Sequence, residues 1–274
     1  MIVDLHTHTN RSDGTLTALE LLERAHSAGV QLLSITDHDT IAAYHDFDYQ
    51  MLMGKIRIVP GIEFSTRWHR TGIHILGLNI DLDSDSISTA TAFQANARKQ
   101  RAWQISERLE RAGLSDTLPG ALAVAKQGAV GRPHFAQHLV DRGEVKTLSE
   151  AFKKYLGPGK AGDVKQHWAP LHQIIEWIRT SGGTPVLAHP GKYGLTHNKR
   201  NELIRDFAKS GGQGLEIISG QQDPIMTKSL AQSAETCGLY ASVGSDFHQL
   251  EQPWSYLGMP LELPNTCRSV WHLW

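Results

Sequence analysis

Two histidines two residues apart open the chain's chemistry: Asp4-Leu5-His6-Thr7-His8, with Asp13 five residues later. Met1 to Leu5 reads as a strand. Side chains at i and i+2 of an extended segment point the same way, so His6 and His8 project together. Neutral imidazole is the commonest protein metal ligand, and such a pair supplies one side of a metal site. Three later stretches repeat the pattern: Thr36-Asp37-His38-Asp39, Ala188-His189-Pro190 and Gly244-Ser245-Asp246-Phe247-His248. Each places a histidine at or just beyond the end of an apolar, strand-like run. Glu63 follows a Pro60-Gly61 turn in the same manner. His74 alternates with Ile73 and Ile75 and, taken alone, reads as one polar residue on a strand face.

The elements that must position these residues alternate strand and helix. Thr17-Ala18-Leu19-Glu20 has the form of a capping box opening a helix that Gly29 closes. Strands are predicted at Leu32 to Ile35 and Ile56 to Val59, with a helix over Ile41 to Met53 between them. Glu63 to Trp68 and Ile73 to Leu78 read as a hairpin. From about Ser86 the period becomes helical: Ala92 to Ala112, Gly120 to Lys126, Pro133 to Asp141 and Leu148 to Tyr155, ended by Gly157-Pro158-Gly159. Alternation then resumes, with helices Leu171 to Ser181, Asn198 to Lys209 and Pro224 to Thr236. The intervening strands are Pro185 to Ala188, Leu215 to Ile218 and Leu239 to Val243. This implies an α/β fold with a parallel sheet, divided into a body of residues 1–90 and 166–274 and an all-helical insertion of residues 91–165. In barrels of that kind functional residues gather at the C-terminal ends of strands, where His6, His8, His38, Glu63, His189, Asp246 and His248 all fall.

Bulk properties narrow the classes. At 274 residues the chain can bury a large core. A net charge of −1 excludes strong whole-molecule attraction to nucleic acid. The charge is uneven, however: residues 94–165 hold thirteen Lys/Arg and seven Asp/Glu, leaving fourteen basic and twenty-one acidic residues for the rest. A basic segment beside an acidic, histidine-rich body suits an anionic substrate held between them. Two cysteines, Cys237 and Cys267, without a CxxC, indicate neither a disulfide framework nor a thiolate metal site. With no apolar run long enough to span a bilayer and no signal-like start, the expectation is a cytoplasmic protein without a membrane partner. No obligate protein partner is indicated.

Taken together, His6-x-His8, Asp13, the Thr36 to Asp39 stretch, Glu63, His74, Ala188-His189-Pro190 and Gly244 to His248 resemble the ligand set of the PHP (polymerase and histidinol phosphatase) family. Gly131-Arg132-Pro133-His134 in the insertion narrows the likeness to nucleoside 3′,5′-bisphosphate phosphatases and RNase AM-type 5′-to-3′ exoribonucleases. The resemblance implies a distorted (β/α)7 barrel and three divalent metals, manganese first, with iron or zinc as alternatives. It implies that His6, His8, Glu63 and Asp246 hold one metal and Asp13, His38 and His248 a second. Glu63 would bridge to a third, completed by His74 and His189. An imidazole and carboxylate donor set without thiolate suits these metals independently.

The expected reaction is hydrolysis of the 3′-phosphate of a nucleoside 3′,5′-bisphosphate such as pAp, by in-line attack of a metal-bridged hydroxide, leaving a 5′-mononucleotide. Asp13 and His248 are the candidates for contacting that phosphate or moving the proton. Arg98, Lys99, Gln100, Arg101 and His134, with Arg132, are expected to grip the second phosphate. The nearest alternative is 5′-to-3′ cleavage of short 5′-phosphorylated RNA at the same site. Few stacking aromatics along the insertion tilt the expectation toward the small substrate. An amidohydrolase and a non-catalytic metal module are the more distant readings.

Overall fold

The computed structural model describes residues 1–46, 56–126, 128–164 and 167–274. Its strands are β1 (Ile2–Thr7), β2 (Val30–Ile35), β3 (Arg57–Ile58), β4 (Gly61–Trp68), β5 (Thr71–Leu78), β6 (Thr184–Leu187), β7 (Gly214–Ser219) and β8 (Tyr240–Gly244). They form two sheets, a parallel β1-β2-β3 and a sequentially ordered β4-β5-β6-β7-β8. In the second, β4–β5 and β5–β6 pair antiparallel, while β6–β7 and β7–β8 pair parallel. This corrects the expectation of one parallel sheet: the hairpin return reverses β5, so the next strand meets it antiparallel, and the ladders divide into two groups. Single bridges, His38 to Glu63 and Thr7 to Phe247, join the groups at both seams. Both bridges run through or beside the histidine motifs.

Local sequence accounts for the elements that carry the site. Helix α1 (Ala18–Ser27) starts on the expected capping box, with Thr17 and Glu20 exchanging backbone contacts, and buries Ala18, Leu21, Leu22 and Ala25 against the first sheet. Strands β4 to β8 are almost wholly buried, since helices cover the outer face and the site the inner end. Of the expected helix Ile41 to Met53, a short turn at Ala42–His45 is present and residues 47–55 lie outside the described residues. The Tyr44 hydroxyl there donates to the Ile35 carbonyl at 2.8 Å and accepts from Gly61 N–H at 2.8 Å, tying β2 to the start of β4.

Helix α2 (Asp85–Arg111) begins earlier than its sequence period suggests, because the Ser84 side chain caps it and Ile87 and Ala90 continue the body's core. Its second half belongs to another apolar cluster. Ala102, Ile105 and Leu109 pack there with α3 (Thr117–Ala125), α4 (Arg132–Asp141) and α5 (Leu148–Ala151). A wider turn, Phe152–Leu156, closes that group. The remaining helices α6 (Leu171–Thr180), α7 (His197–Lys209) and α8 (Pro224–Cys237) cover the second sheet. Among the described residues no helix is long and apolar enough to cross a membrane.

Between the two cores α2 is fastened by buried polar groups. Asp39 accepts from Arg98 Nε at 2.8 Å, Gln94 Nε2 at 2.7 Å and Ser65 N–H at 2.7 Å. Arg98 Nη2 closes the fork on Asp39 at 2.6 Å. Removing one partner of such a pair leaves the other buried and uncompensated. Arg98→Ala should therefore lower unfolding free energy by about 3–5 kcal/mol in urea denaturation, far beyond a surface arginine. A loss under about 1 kcal/mol would mean that the pair does not anchor the helix.

Candidate metal and phosphate site

Glu63, fully buried in β4, is the point on which the histidines converge. His74 Nδ1 on β5 and His189 Nε2 beyond β6 each lie 2.9 Å from its Oε1. Around Oε2 stand His38 Nδ1 at 2.9 Å, His6 Nε2 at 3.3 Å and His8 Nε2 at 3.4 Å. Asp246 Oδ1 sits 3.5 Å from His6 Nε2 and 3.4 Å from His8 Nε2. On the other side Asp13 faces His248 Nε2 at 3.3 Å, His38 Nε2 at 3.6 Å and His8 Nδ1 at 3.8 Å. All nine residues predicted as ligands thus meet in one pocket, although β1 and β8 lie at opposite ends of the chain.

Backbone detail shows what the arrangement costs. Asp39, His189 and Asp246, just past β2, β6 and β8, all adopt positive φ, at 57°, 27° and 55°. Left-handed backbone in a non-glycine residue costs of order 1 kcal/mol and persists where the surroundings enforce it. Gly244 is required for close approach: a Cβ there would overlap the His6 side chain.

Charge placement is equally specific. Burial opposes ionisation of Glu63, yet His38, His6 and His74 outweigh it and hold the carboxyl well below its usual range. Asp13 and Asp246 are likewise depressed against burial, by His38 and His248 and by His6 and Lys192 respectively. Burial, followed by the neighbouring His248, drives His8 down to about 3. His248 itself rises to about 10, since Asp13 and Asp246 overcome its burial. His6 is raised against burial by Glu216, Glu63 and Asp246.

Hydrogen bonds account for only part of these contacts. His38 Nδ1 and Glu63 Oε2 are 2.9 Å apart, yet neither has an aligned hydrogen-bond partner. His6 Nε2 and His8 Nε2 face one another at 3.1 Å inside the protein. Lone pairs aimed at a common centre rather than at protons are what a cation-binding site needs. Within this cluster four groups of donor atoms lie close enough to hold an ion: His8–Asp13–His38–His248, His6–His8–Asp246, His6–Glu63–His189 and His38–Glu63–His74.

Next to this cluster opens a cavity of about 500 Å³, walled by Arg98, Arg101, Arg132, Phe152 and Trp168 from or beside the helical group. Arg101 uses its Nε on the Val164 carbonyl at 2.7 Å. Burial, and then Arg132 and Arg98 nearby, lower its pKa to about 9. A cationic wall facing the metal-ligand cluster is what an anion with two charged ends would occupy.

The PHP domain profile matches residues 4–167, which span β1 to the end of the helical group. The chain belongs to the PHP domain family. Over all of its length this PHP domain is 43% identical to the 5′-3′ exoribonuclease Rnm of Escherichia coli (strain K12), of which it covers 94%. It is 38% identical to the 3′,5′-nucleoside bisphosphate phosphatase of Chromobacterium violaceum, covering 98% of this chain and 95% of that one. Among solved structures, one described as an amidohydrolase from Chromobacterium violaceum with bound sulfate and no metal superposes at a TM-score of 0.90. It is 37% identical and spans 100% of this chain and 95% of the other.

Not every predicted contact reaches the PHP pocket. Asp13, Arg98, Arg101, Arg132 and His248 line the basic cavity. Lys99 and Gln100 are exposed on the outer face of α2 beside Trp103, because successive helical residues turn about 100° apart. His134 accepts the Gly131 N–H on its Nδ1 at 3.0 Å and borders the neighbouring cleft, which shares Asp13 with this cavity. Arg98, committed to Asp39, has little left for a ligand. Asp37, beside His38, holds the loop after β1, accepting from Thr9 N–H at 2.8 Å and from the Thr9 and Ser12 hydroxyls at 2.5 Å.

Two groups escaped the sequence reading. Lys192, in the turn after His189, donates to Asp246 Oδ2 at 2.7 Å; its signal was a cation two residues after His-Pro. Glu216, fully buried in β7, accepts from His6 Nδ1 at 3.0 Å and from the His189 backbone N–H at 2.5 Å. Its signal was a lone carboxylate within the apolar run Leu215 to Ile218. A carboxylate on the far nitrogen fixes a ligand histidine's orientation and basicity. Glu216→Gln should leave the fold intact and weaken Mn²⁺ binding roughly 10- to 100-fold in calorimetric titration. Unchanged affinity would assign Glu216 a packing role only.

Proposed function

We propose that this PHP domain is a metal-dependent phosphoesterase that removes the 3′-phosphate from nucleoside 3′,5′-bisphosphates. We further propose that the same site releases 5′-mononucleotides from 5′-phosphorylated RNA. The observation that carries this reading is the juxtaposition of the Glu63-centred donor cluster and the arginine-walled cavity. One relative named as a 5′-3′ exoribonuclease, at 43% identity, and one named as a 3′,5′-nucleoside bisphosphate phosphatase, at 38%, both over nearly full length, support it. The greater identity to exoribonucleases gives the polymer substrate more weight than the insertion's composition suggests.

In this reading His6, His8, Glu63 and Asp246 hold one cation, Asp13, His38 and His248 a second, and Glu63, His74 and His189 a third, with manganese preferred over iron or zinc. The unsatisfied His38 and Glu63 atoms and the absence of thiolate among the donors fit such a group. When bound, the cations supply Lewis-acid stabilisation of the phosphoryl oxygens and activation of water. The chain's own groups do the rest. Arg101 and Arg132 receive the 5′-phosphate and set the 3′-phosphate against the cluster, a positioning role. Asp13 and His248, 3.3 Å apart, are the groups we assign to proton transfer toward the departing 3′-oxygen. Carboxylates that raise His6, His38 and His248 make the empty pocket retain protons, so cation affinity falls as pH falls.

Residues 91–165 act in this reading as a substrate-binding cap on a body of residues 1–90 and 166–274. The two sheets, joined at His38–Glu63 and Thr7–Phe247, we read as the arcs of the distorted (β/α)7 barrel, in a cytoplasmic enzyme.

With Mn²⁺, the protein should release phosphate from pAp and leave AMP, and chelation should abolish the reaction. Loss of charge-assisted contacts in Arg101→Ala should lower kcat/KM for pAp by roughly 10- to 100-fold, with a much smaller effect on adenosine 3′-monophosphate. Turnover of amides or lactones without any phosphate ester would overturn the assignment and support an amidohydrolase instead.

A further inference from the structure

A second cleft, of about 760 Å³, lies on the other side of Asp13. The loop after β1 and the first turn of α1 form one wall, and the end of α3 with α4 the other. It shares Asp13 and Pro133 with the arginine-walled cavity, so the two spaces abut at the donor cluster. Its volume falls within the range of about 300–1,000 Å³ usual for small-molecule sites. Asn10, Thr15 and Gln137 offer hydrogen-bonding groups, Lys126 a cation, and half-exposed Leu19 an apolar surface. The Arg11–Asp46 ion pair at its border adds no net charge.

Resting on the phosphoesterase reading above, we infer that this cleft binds the nucleotide on the 3′ side of the scissile phosphate of an RNA substrate. The arginine-walled cavity takes the 5′-terminal nucleoside and its 5′-phosphate, which puts the phosphorus attached to its 3′-oxygen at the cluster. In a bisphosphate nothing lies beyond that phosphorus. In RNA it is esterified to the next nucleotide, which must leave the cluster on the side away from the arginines. Water oxygen bonds to phosphorus, the P–O3′ bond breaks, and the 3′-oxygen takes a proton, releasing a 5′-mononucleotide. The remainder keeps the phosphate as a new 5′-phosphate. It is then a substrate for the next cycle once its end moves from the cluster to the arginines. The cleft thereby separates the two substrate classes: it is idle for pAp and occupied for an oligonucleotide.

Lys126→Glu and Leu19→Glu change the cleft without touching the cluster, and an acidic residue in the first turn of α1 is favourable to that helix. Steady-state kinetics with Mn²⁺ would compare pAp with the 5′-phosphorylated dinucleotide pApA. Both variants should keep pAp turnover within about twofold of wild type, while kcat/KM for pApA falls by about three- to tenfold through KM. Equal losses on both substrates, or pApA kinetics unchanged in both variants, would overturn the subsite. So would a wild-type enzyme that hydrolyses pAp but not pApA, which would leave the phosphatase reading standing. Failure of the wild type on both substrates would instead remove the phosphoesterase reading and the subsite with it.

Discussion

A carboxylate with no access to water sits among five imidazoles, and the rest of the molecule is arranged to make that tolerable. Desolvating Glu63 would normally keep it protonated. It is held ionised by the histidines that close on it from β1, β2, β5 and the turn after β6. Those histidines in turn need anchors, and Glu216 supplies one beneath His6. The strained backbone at Asp39, His189 and Asp246 and the glycine at 244 serve the same convergence. None of these features helps a hydrophobic core. Together they fit the cation-binding role proposed for this cluster.

The second constraint is how the helical group is joined to the body. Helix α2 contributes to both apolar clusters, and Asp39 binds it through Arg98 and Gln94 one residue beyond His38. The wall of the basic cavity is therefore fixed relative to the ligands by a buried ion pair, not by a flexible linker. On the reading proposed above, that would let one site serve a bisphosphate and a 5′-phosphorylated polymer, since both place a terminal phosphate against one wall and the reacting phosphorus against the other.

Much of this was legible in the chain. His6 and His8 were readable because strand geometry projects i and i+2 together, and His38, His189 and His248 because each follows an apolar run. Glu63 was marked by the turn before it. His74, taken alone, read only as one polar residue on a strand face, since alternation on a strand says nothing about what that face meets. Glu216 was hidden for the opposite reason: a charge within an apolar strand signals a partner but not which one. Lys99 and Gln100 were assigned by proximity to Arg98, but helical phase turns them outward. The division of the strands into two sheets depends on long-range pairing, which local periodicity does not encode.

The most direct examination of the central claim is anomalous diffraction at the manganese edge from crystals grown with Mn²⁺. Peaks between Glu63, His6, His8 and Asp246, and beside Asp13, His38 and His248, are the predicted result. Strong anomalous density elsewhere, with none within bonding distance of Glu63, would contradict the assignment of this cluster as a metal centre.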